Sequence, residues 1–294
     1  MSQSGHRMKV AVGQIDTTLG DIQANKHKHL EMIERARGQG VDLLVFAELS
    51  LTGYSNGHDA VKLAITRDDP VLQELAEAAG PMWTTLGFIE EGVAAQLHNS
   101  AITLQGGQTK FIHRKLNLAS YGHLEEEKHF AEGRYVDTFK LDGTPWQAGT
   151  MICADLWNPA LVHLAAVHGA TLLMVPTASA IDAVSGDFSN PDGWRLALEF
   201  FAMIYGMPLI MANLATTENG LRFWGGSRIL DAHGKVLAEA GDSEELIVAE
   251  IDYNQLRQAR YQLPTVRDSN LDLIQREVNR LSWSVGIPPE SRKI

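Results

Sequence analysis

Apolar runs of strand length alternate along this chain with stretches whose apolar positions recur at helical spacing. MKVAVGQI (residues 8–15) predicts one strand and VDLLVFAE (41–48) another, the second apolar enough to be buried on both faces. Between them, Asp21 is placed to cap a helix to about Arg37, with Ile22, Leu30, Ile33 and Ala36 toward one face and Gly38 and Gly40 ending it. A helix over 70–79 opens at Pro70. TTLGFIEE (84–91), SAITLQ (100–105) and KFIHRK (110–115) predict strands, the last two joined through Gly106-Gly107.

A polar loop (119–134) precedes a second series of elements. WQAGTMIC (146–153) predicts a strand, ALVHLAAVHG (160–169) a helix, TLLMVP (171–176) a strand, GWRLALEFFAMIYG (193–206) a helix and PLIMANLA (208–215) a strand. SRILDAHGKVLAEA (227–240) predicts a hairpin turning at His233-Gly234, and ELIVAEID (245–252) a last strand. Helix-covered strands together with hairpins define an α/β class with a mixed sheet. No repeat, low-complexity linker or abrupt composition shift divides the chain. Residues 1–294 therefore read as one domain, with a C-terminal arm from about residue 264 packed on the body or on a partner subunit.

Composition narrows the function. Acidic residues outnumber basic ones, 36 to 25, for a formal charge of -11, which argues against nucleic acid and against anionic membrane surfaces. The stretch 196–215 is about as long as a membrane span. Glu199 interrupts it and Gly206-Met207-Pro208 splits it, so a buried helix followed by a buried strand is expected. The opening MSQSGHRMKV lacks an apolar signal core, and a cytoplasmic address is expected. One cysteine in 294 residues supplies neither an intrachain disulfide nor a thiolate zinc site. His163 and His168, five apart, diverge by about 140° around a helix. No dinucleotide or Walker motif is present, so no metal or cofactor is expected.

Three predicted strand ends carry a polar residue after an apolar run: Glu48, Lys115 and Cys153. Reactive groups in α/β proteins gather at such ends. A thiol, a carboxylate and an ammonium together suit acyl transfer. Cys153, ahead of a helix start that lowers its pKa, attacks a carbonyl carbon. Glu48 takes the thiol proton and passes one to the leaving amine. Lys115 and the backbone N–H of Ala154 face the oxyanion. Each residue alone has an ordinary reading: a small core residue for the cysteine, a solvated loop residue for the glutamate, and an edge-strand solubiliser for the lysine.

The words around these residues favour the chemistry. FAELSLTGY around Glu48, HRKLNL around Lys115 and ICADLWNP around Cys153 resemble, in this order, the signatures of the nitrilase, or carbon-nitrogen hydrolase, superfamily. MKVAVGQI, GATLLMVPTAS, GGSRILDAHGKVLAEA and RYQLPTVRD extend the resemblance over nearly the whole chain. It implies a four-layer αββα sandwich of two mixed sheets, and subunits paired across a helical face into a homodimer or larger homo-oligomer.

KLNLASYGHLEEEKHF resembles the loop after the lysine in the glutamine-amidase domain of glutamine-dependent NAD synthetases. An ungapped match puts Tyr121 on the substrate side and Glu126 on a second glutamate near Lys115. Glu125 and Glu127 flank it in what is otherwise a solvated acidic run. Ala119 stands where that loop has Pro. CADLWNP resembles the amidase form more than the nitrile-hydrolysing one, and Thr177-Ala178-Ser179 resembles a stretch lining the glutaminase pocket, which adds Thr177 and Ser179 to the candidates. The expected activity is hydrolysis of a small amide (an ω-amide, an aliphatic amide or an N-carbamoyl compound) through a cysteinyl thioester, with water as co-substrate and ammonia released. A nitrilase-type enzyme and a non-catalytic interaction protein are the alternatives. With no ATP-pyrophosphatase loop in the sequence, a free-standing amidase is expected.

Overall fold

A computed structural model describes residues 7–184 and 187–285. Its elements begin with β1 (Arg7–Gln14), α1 (Ile22–Gly38), β2 (Leu43–Phe46), α2 (Ala60–Leu63), α3 (Pro70–Ala79), β3 (Trp83–Glu91), β4 (Leu97–Gln105) and β5 (Gln108–Arg114). There follow β6 (Thr138–Lys140), β7 (Gln147–Thr150), α4 (Pro159–Val167), β8 (Leu172–Pro176), α5 (Asn190–Tyr205) and β9 (Leu209–Ala212). The chain continues through β10 (Thr217–Glu218), β11 (Leu221–Arg222), β12 (Arg228–Leu230), β13 (Val236–Glu239), β14 (Glu245–Asp252), α6 (Tyr253–Gln262) and α7 (Leu271–Ser284).

Two six-stranded sheets result, ordered β14-β1-β2-β3-β4-β5 and β13-β12-β9-β8-β7-β6, with β10 and β11 as a separate ribbon. Both are mixed: β1, β2 and β3 are parallel, as are β7, β8 and β9, while the outer pairings are antiparallel. Val10, Val12 and Val45 of the first sheet meet Leu172, Met174 and Ile210 of the second in one dry core. The opposite face of the first sheet packs on α1 and α3 through Met32, Ile33, Leu72 and Leu75. The opposite face of the second packs on α4 and α5 through Val162, Trp194, Leu198 and Phe201. The layers run α, β, β, α, as the resemblance implied. Covering both faces of each sheet is what makes the central strands continuously apolar.

Local signals act as the sequence suggests. Asp21 caps α1 by accepting from the Ala24 N–H, Asp69 accepts from Val71 N–H ahead of Pro70, and Gly206 ends α5 in the left-handed conformation. The stretch 196–215 is indeed split between α5 and β9, and among the described residues no helix is long and apolar enough to cross a membrane. Two predicted strands end before the candidate site residues they were expected to carry. VDLLVFAE stops at Phe46 and WQAGTMIC at Thr150, because the chain enters left-handed backbone at Leu49 (φ 48°) and Cys153 (φ 46°). Non-glycine residues rarely adopt that region, and these two flank or carry candidate site groups.

The periodicity reading missed α2, α6, α7, β6 and the β10–β11 ribbon. Of the expected C-terminal arm, α7 lies within the described residues and buries none of its own side chains. The opening hexapeptide, on which part of the reading of the start rested, lies outside them.

Candidate active site

Glu48, Lys115 and Cys153 come from both sheets at one end of the sandwich. Glu48 follows β2, Lys115 follows β5 and Cys153 follows β7, where it opens a single 3₁₀ turn, Cys153–Asp155. All three are buried. The turn carrying Glu48 passes so close to β3 that a Cβ on Gly87 would sit 2.2 Å from Leu49 N and 2.7 Å from Ala47 O. Only glycine admits that approach.

Lys115 Nζ donates to Glu48 Oε1 at 2.6 Å and to Glu126 Oε1 at 2.7 Å. An ammonium has three N–H donors, so one stays free for a further acceptor. Glu48 Oε1 also accepts from Asn99 Nδ2 at 2.7 Å, and its Oε2 accepts from the Ala178 N–H at 2.8 Å. Glu126 is buried and accepts additionally from Tyr54 Oη at 2.6 Å and from the Ala119 N–H at 3.0 Å. Glu125 and Glu127 stay exposed, Glu125 pairing with Lys128. The Ala119 contact bears on the one departure from the glutaminase loop pattern. A proline there has no N–H to give, and alanine does.

Burial sets the proton affinities. It pushes the Glu48 carboxyl up, Lys115 pulls it back and Glu126 adds to the rise, leaving it at about 7. Burial alone would lower Lys115, but Glu126, Glu48 and Cys153 more than reverse this and hold it well above its ordinary value, a fixed cation. Burial pushes the Cys153 thiol up, Glu48 raises it further, and Lys115 and an Ala178 backbone hydrogen bond oppose this. The lowered thiol expected from a nearby helix start is therefore corrected. The turn at Cys153 is only three residues long, α4 begins six residues beyond at Pro159, and desolvation outweighs so short a dipole.

The remaining sequence-predicted residues divide. Tyr121 is nearly half exposed. Burial raises its phenol first and the charge of Cys153 second, so it faces the group from the solvent side. Ala154 is buried directly after Cys153. Thr177 turns its hydroxyl back to the Val175 carbonyl, and Ser179 Oγ accepts from Trp224 Nε1. It is the backbone of Ala178, between them, that reaches Glu48.

The fold adds three residues the sequence reading did not select. Tyr54, inside the quoted FAELSLTGY, reaches Glu126. Asn99 reaches Glu48 from β4. Asp155 is buried, and its carboxylate accepts from the N–H groups of Ile152, Leu116 and Asn117 while pairing with His113 Nε2 at 3.0 Å. It ties the Cys153 turn to the Lys115 segment. A cavity of about 470 Å³ is floored by Tyr54 and Glu126, walled by Leu124, Phe130 and Leu221, with Asp182 at its lining.

A buried free thiol beside a raised carboxylate and a paired lysine, at one end of an αββα sandwich, defines an α/β protein with a nitrilase-like fold. The sequence pattern of the carbon-nitrogen hydrolase family matches residues 9–261, and this chain belongs to that family. It is 29% identical over 253 residues to a glutamine-dependent NAD(+) synthetase of Thermotoga maritima, covering 85% of this chain and 43% of that one. The chain thus spans less than half the length of that relative. It is 28% identical to an N-carbamoylputrescine amidase of Arabidopsis thaliana over 93% of this chain and 96% of the other. Among solved structures it is similar to the amidase from Nesterenkonia sp. AN1 with acrylamide added at its active-site cysteine: TM-score 0.73, 27% identity, 87% of this chain and 98% of that one.

Proposed function

We propose that the protein hydrolyses the C–N bond of a small linear amide, either an ω-amide, an aliphatic amide or an N-carbamoyl compound, through a thioester on Cys153. The observation that carries this reading is Glu48, held at about pKa 7 and bonded to Lys115 beside a buried thiol. Such a carboxyl accepts and returns a proton near neutral pH. As Cys153 Sγ attacks the amide carbon, its proton passes to Glu48 and the C=O pair moves onto oxygen. The oxyanion takes the third N–H of Lys115 and the Ala154 N–H. Collapse breaks the C–N bond, Glu48 protonates the nitrogen, and ammonia leaves. Water then attacks the thioester, giving its proton to Glu48, and the thiol is restored as the acyl product departs.

Glu126 and Tyr54 hold the far side of Lys115, so the ammonium cannot follow Glu48 when the latter is protonated. Tyr121 lines the substrate side, and Thr177 and Ser179, whose hydroxyls turn to Val175 and Trp224, hold the loop that carries the Ala178 N–H. The two amidases to which the chain is similar, one acting on N-carbamoylputrescine by its name, support an amide rather than a nitrile.

An ammonia-release screen over glutamine, other ω-amides, aliphatic amides and N-carbamoyl compounds tests the reading. Mass spectrometry should find an acyl or alkyl adduct on Cys153, and Cys153→Ser should abolish release. Turnover of nitriles with amides untouched would replace the reading with a nitrilase. No turnover of any of these, with Cys153 inert to alkylation, would make the chain a non-catalytic member of the fold.

The same proposal extends to assembly. Leu196, Phe200 and Met203 leave an apolar face of α5 exposed, as expected where a second copy packs helix to helix. Light scattering should give at least a dimer, and Phe200→Glu should shift it toward monomer. A free, unpaired cysteine suits a reducing compartment such as the cytoplasm.

A further inference from the structure

We infer that Asn99 is a positioning residue that sets the proton affinity of Glu48, an inference resting on the hydrolase reading above. Asn99 lies on β4 opposite Ile89 of β3 and is buried. It grips both halves of the carboxylate–lysine pair. Its backbone carbonyl accepts the Lys115 N–H at 2.8 Å, and its Nδ2 donates to Glu48 Oε1 at 2.7 Å. That oxygen is the one to which Lys115 Nζ also donates.

A donor aimed at a carboxylate favours its ionised form, and in a dry site nothing else substitutes for it. The groups whose charge meets at this point are Lys115 from the end of β5, Glu126 from the loop beyond, Cys153 from the turn after β7, and Tyr54 and Tyr121. Lys115 is the one fixed cation among them and is divided between two carboxylates. Two neutral donors also reach Glu48, the Ala178 N–H at Oε2 and the Asn99 amide at Oε1, and Asn99 is the side chain of the two that keeps Glu48 from rising further, so that it is a base at neutral pH.

The test compares the pH dependence of two readouts in the full-length chain: kcat/KM for ammonia release, and the rate of Cys153 alkylation by iodoacetamide. Glu48→Gln identifies the acid limb that belongs to Glu48. Asn99→Leu, which removes the donor at similar volume, should move that limb up by about one pH unit in both readouts. The alkylation rate below the limb then falls about tenfold. Asn99→Gln, which retains an amide, should lower the rate while leaving the limb nearer its original position.

If Asn99→Leu does not fold, judged by circular dichroism, Asn99→Ala reads the same limb without added bulk. A slower enzyme whose limb stays in place in both readouts would make Asn99 purely structural and overturn the inference. A limb that moves in alkylation while the unaltered chain releases no ammonia from any amide would keep the inference and sink the hydrolase reading instead.

Discussion

Two buried carboxylates at neighbouring places in the first sheet have opposite fates. Glu48 is fully buried against Lys115 and is raised to about 7. Glu90, at the end of β3, is also buried by its side chain, yet is held at about 2. Burial acts on both and pushes both upward. The difference lies in what answers it. Glu90 receives Arg114 Nε and Nη2, each at 2.8 Å, the Ser100 hydroxyl at 2.7 Å and a longer contact from Arg67. A planar guanidinium matches both oxygens of a carboxylate, and here two guanidinium groups serve one. At Glu48 the ratio is inverted, because one lysine serves Glu48 and Glu126 together. Surplus cation makes an ion cluster that stays ionised, and surplus carboxylate makes a group that exchanges protons near neutral pH. Asn99 and Ser100 mark the divide: adjacent on β4, they point to opposite faces, one to Glu48 and the other to Glu90.

The comparison breaks most readily at the cations. On the proposed mechanism, Lys115→Met should cut ammonia release by roughly 10²–10³ or more, because the oxyanion would lose its donor and two carboxylates would be left facing each other. Arg114→Met should leave turnover close to that of the unaltered chain and lower the melting temperature. Loss of turnover in both, with equal loss of stability, would mean that the two clusters do not differ in kind.

The next effect is one of pH. In the proposed mechanism Glu48 accepts the thiol proton only when ionised, so kcat/KM should fall as pH drops through about 7. An acid limb near 4.5 would show that burial does not govern this group. Glu126→Gln should move the limb below 7, since a like charge that helps to raise Glu48 is removed. Its turnover should fall less than that of Lys115→Met, and a limb shifting upward would contradict the assigned electrostatics.

The smallest effect is expected at Glu90. Its lowered carboxyl contributes stability that is present above the ordinary carboxylate range and lost as pH falls toward about 2. Glu90→Gln should therefore destabilise the fold at pH 7 by about 1–2 kcal/mol, a modest figure because solvent reaches Arg67 and Arg114. The difference from the unaltered chain should narrow as pH falls from about 4.5 and close toward about pH 2, as measured by denaturant unfolding across pH.

Much of this was readable in the residues. Apolar runs located β1, β2, β8, β9 and β14, and Asp21 as a cap and Pro70 as a first residue fixed helix starts to within a residue. α6 escaped because its apolar positions are sparse; α7 was passed over although Leu271, Ile274, Val278 and Leu281 recur at helical spacing, and it buries none of them. Glu48, Lys115, Cys153 and Glu126 were singled out by the words around them. Asn99 was not, because it sits at the polar start of a strand that periodicity placed from Ser100 onward. Ala178 escaped because its contribution is a backbone N–H, which no side-chain pattern records. Asp155 stood in plain view in ICADLWNP, but three of its four partners, His113, Leu116 and Asn117, lie on a segment brought to it only by folding.

The amino-acid order alone determined where the chain is apolar, where it turns and which reactive side chains it carries, since these depend on neighbours within a few bonds. Proton affinity is a property of another kind. It follows from water withheld and from charges and hydrogen-bond donors a few ångströms away, which here are contributed by residues on or just after β2, β4, β5, β7 and β8 together. Only the closed sandwich brings those strand ends within reach, and so only tertiary structure decided that Glu48 rises, that Glu90 falls and that the thiol is not lowered by its helix.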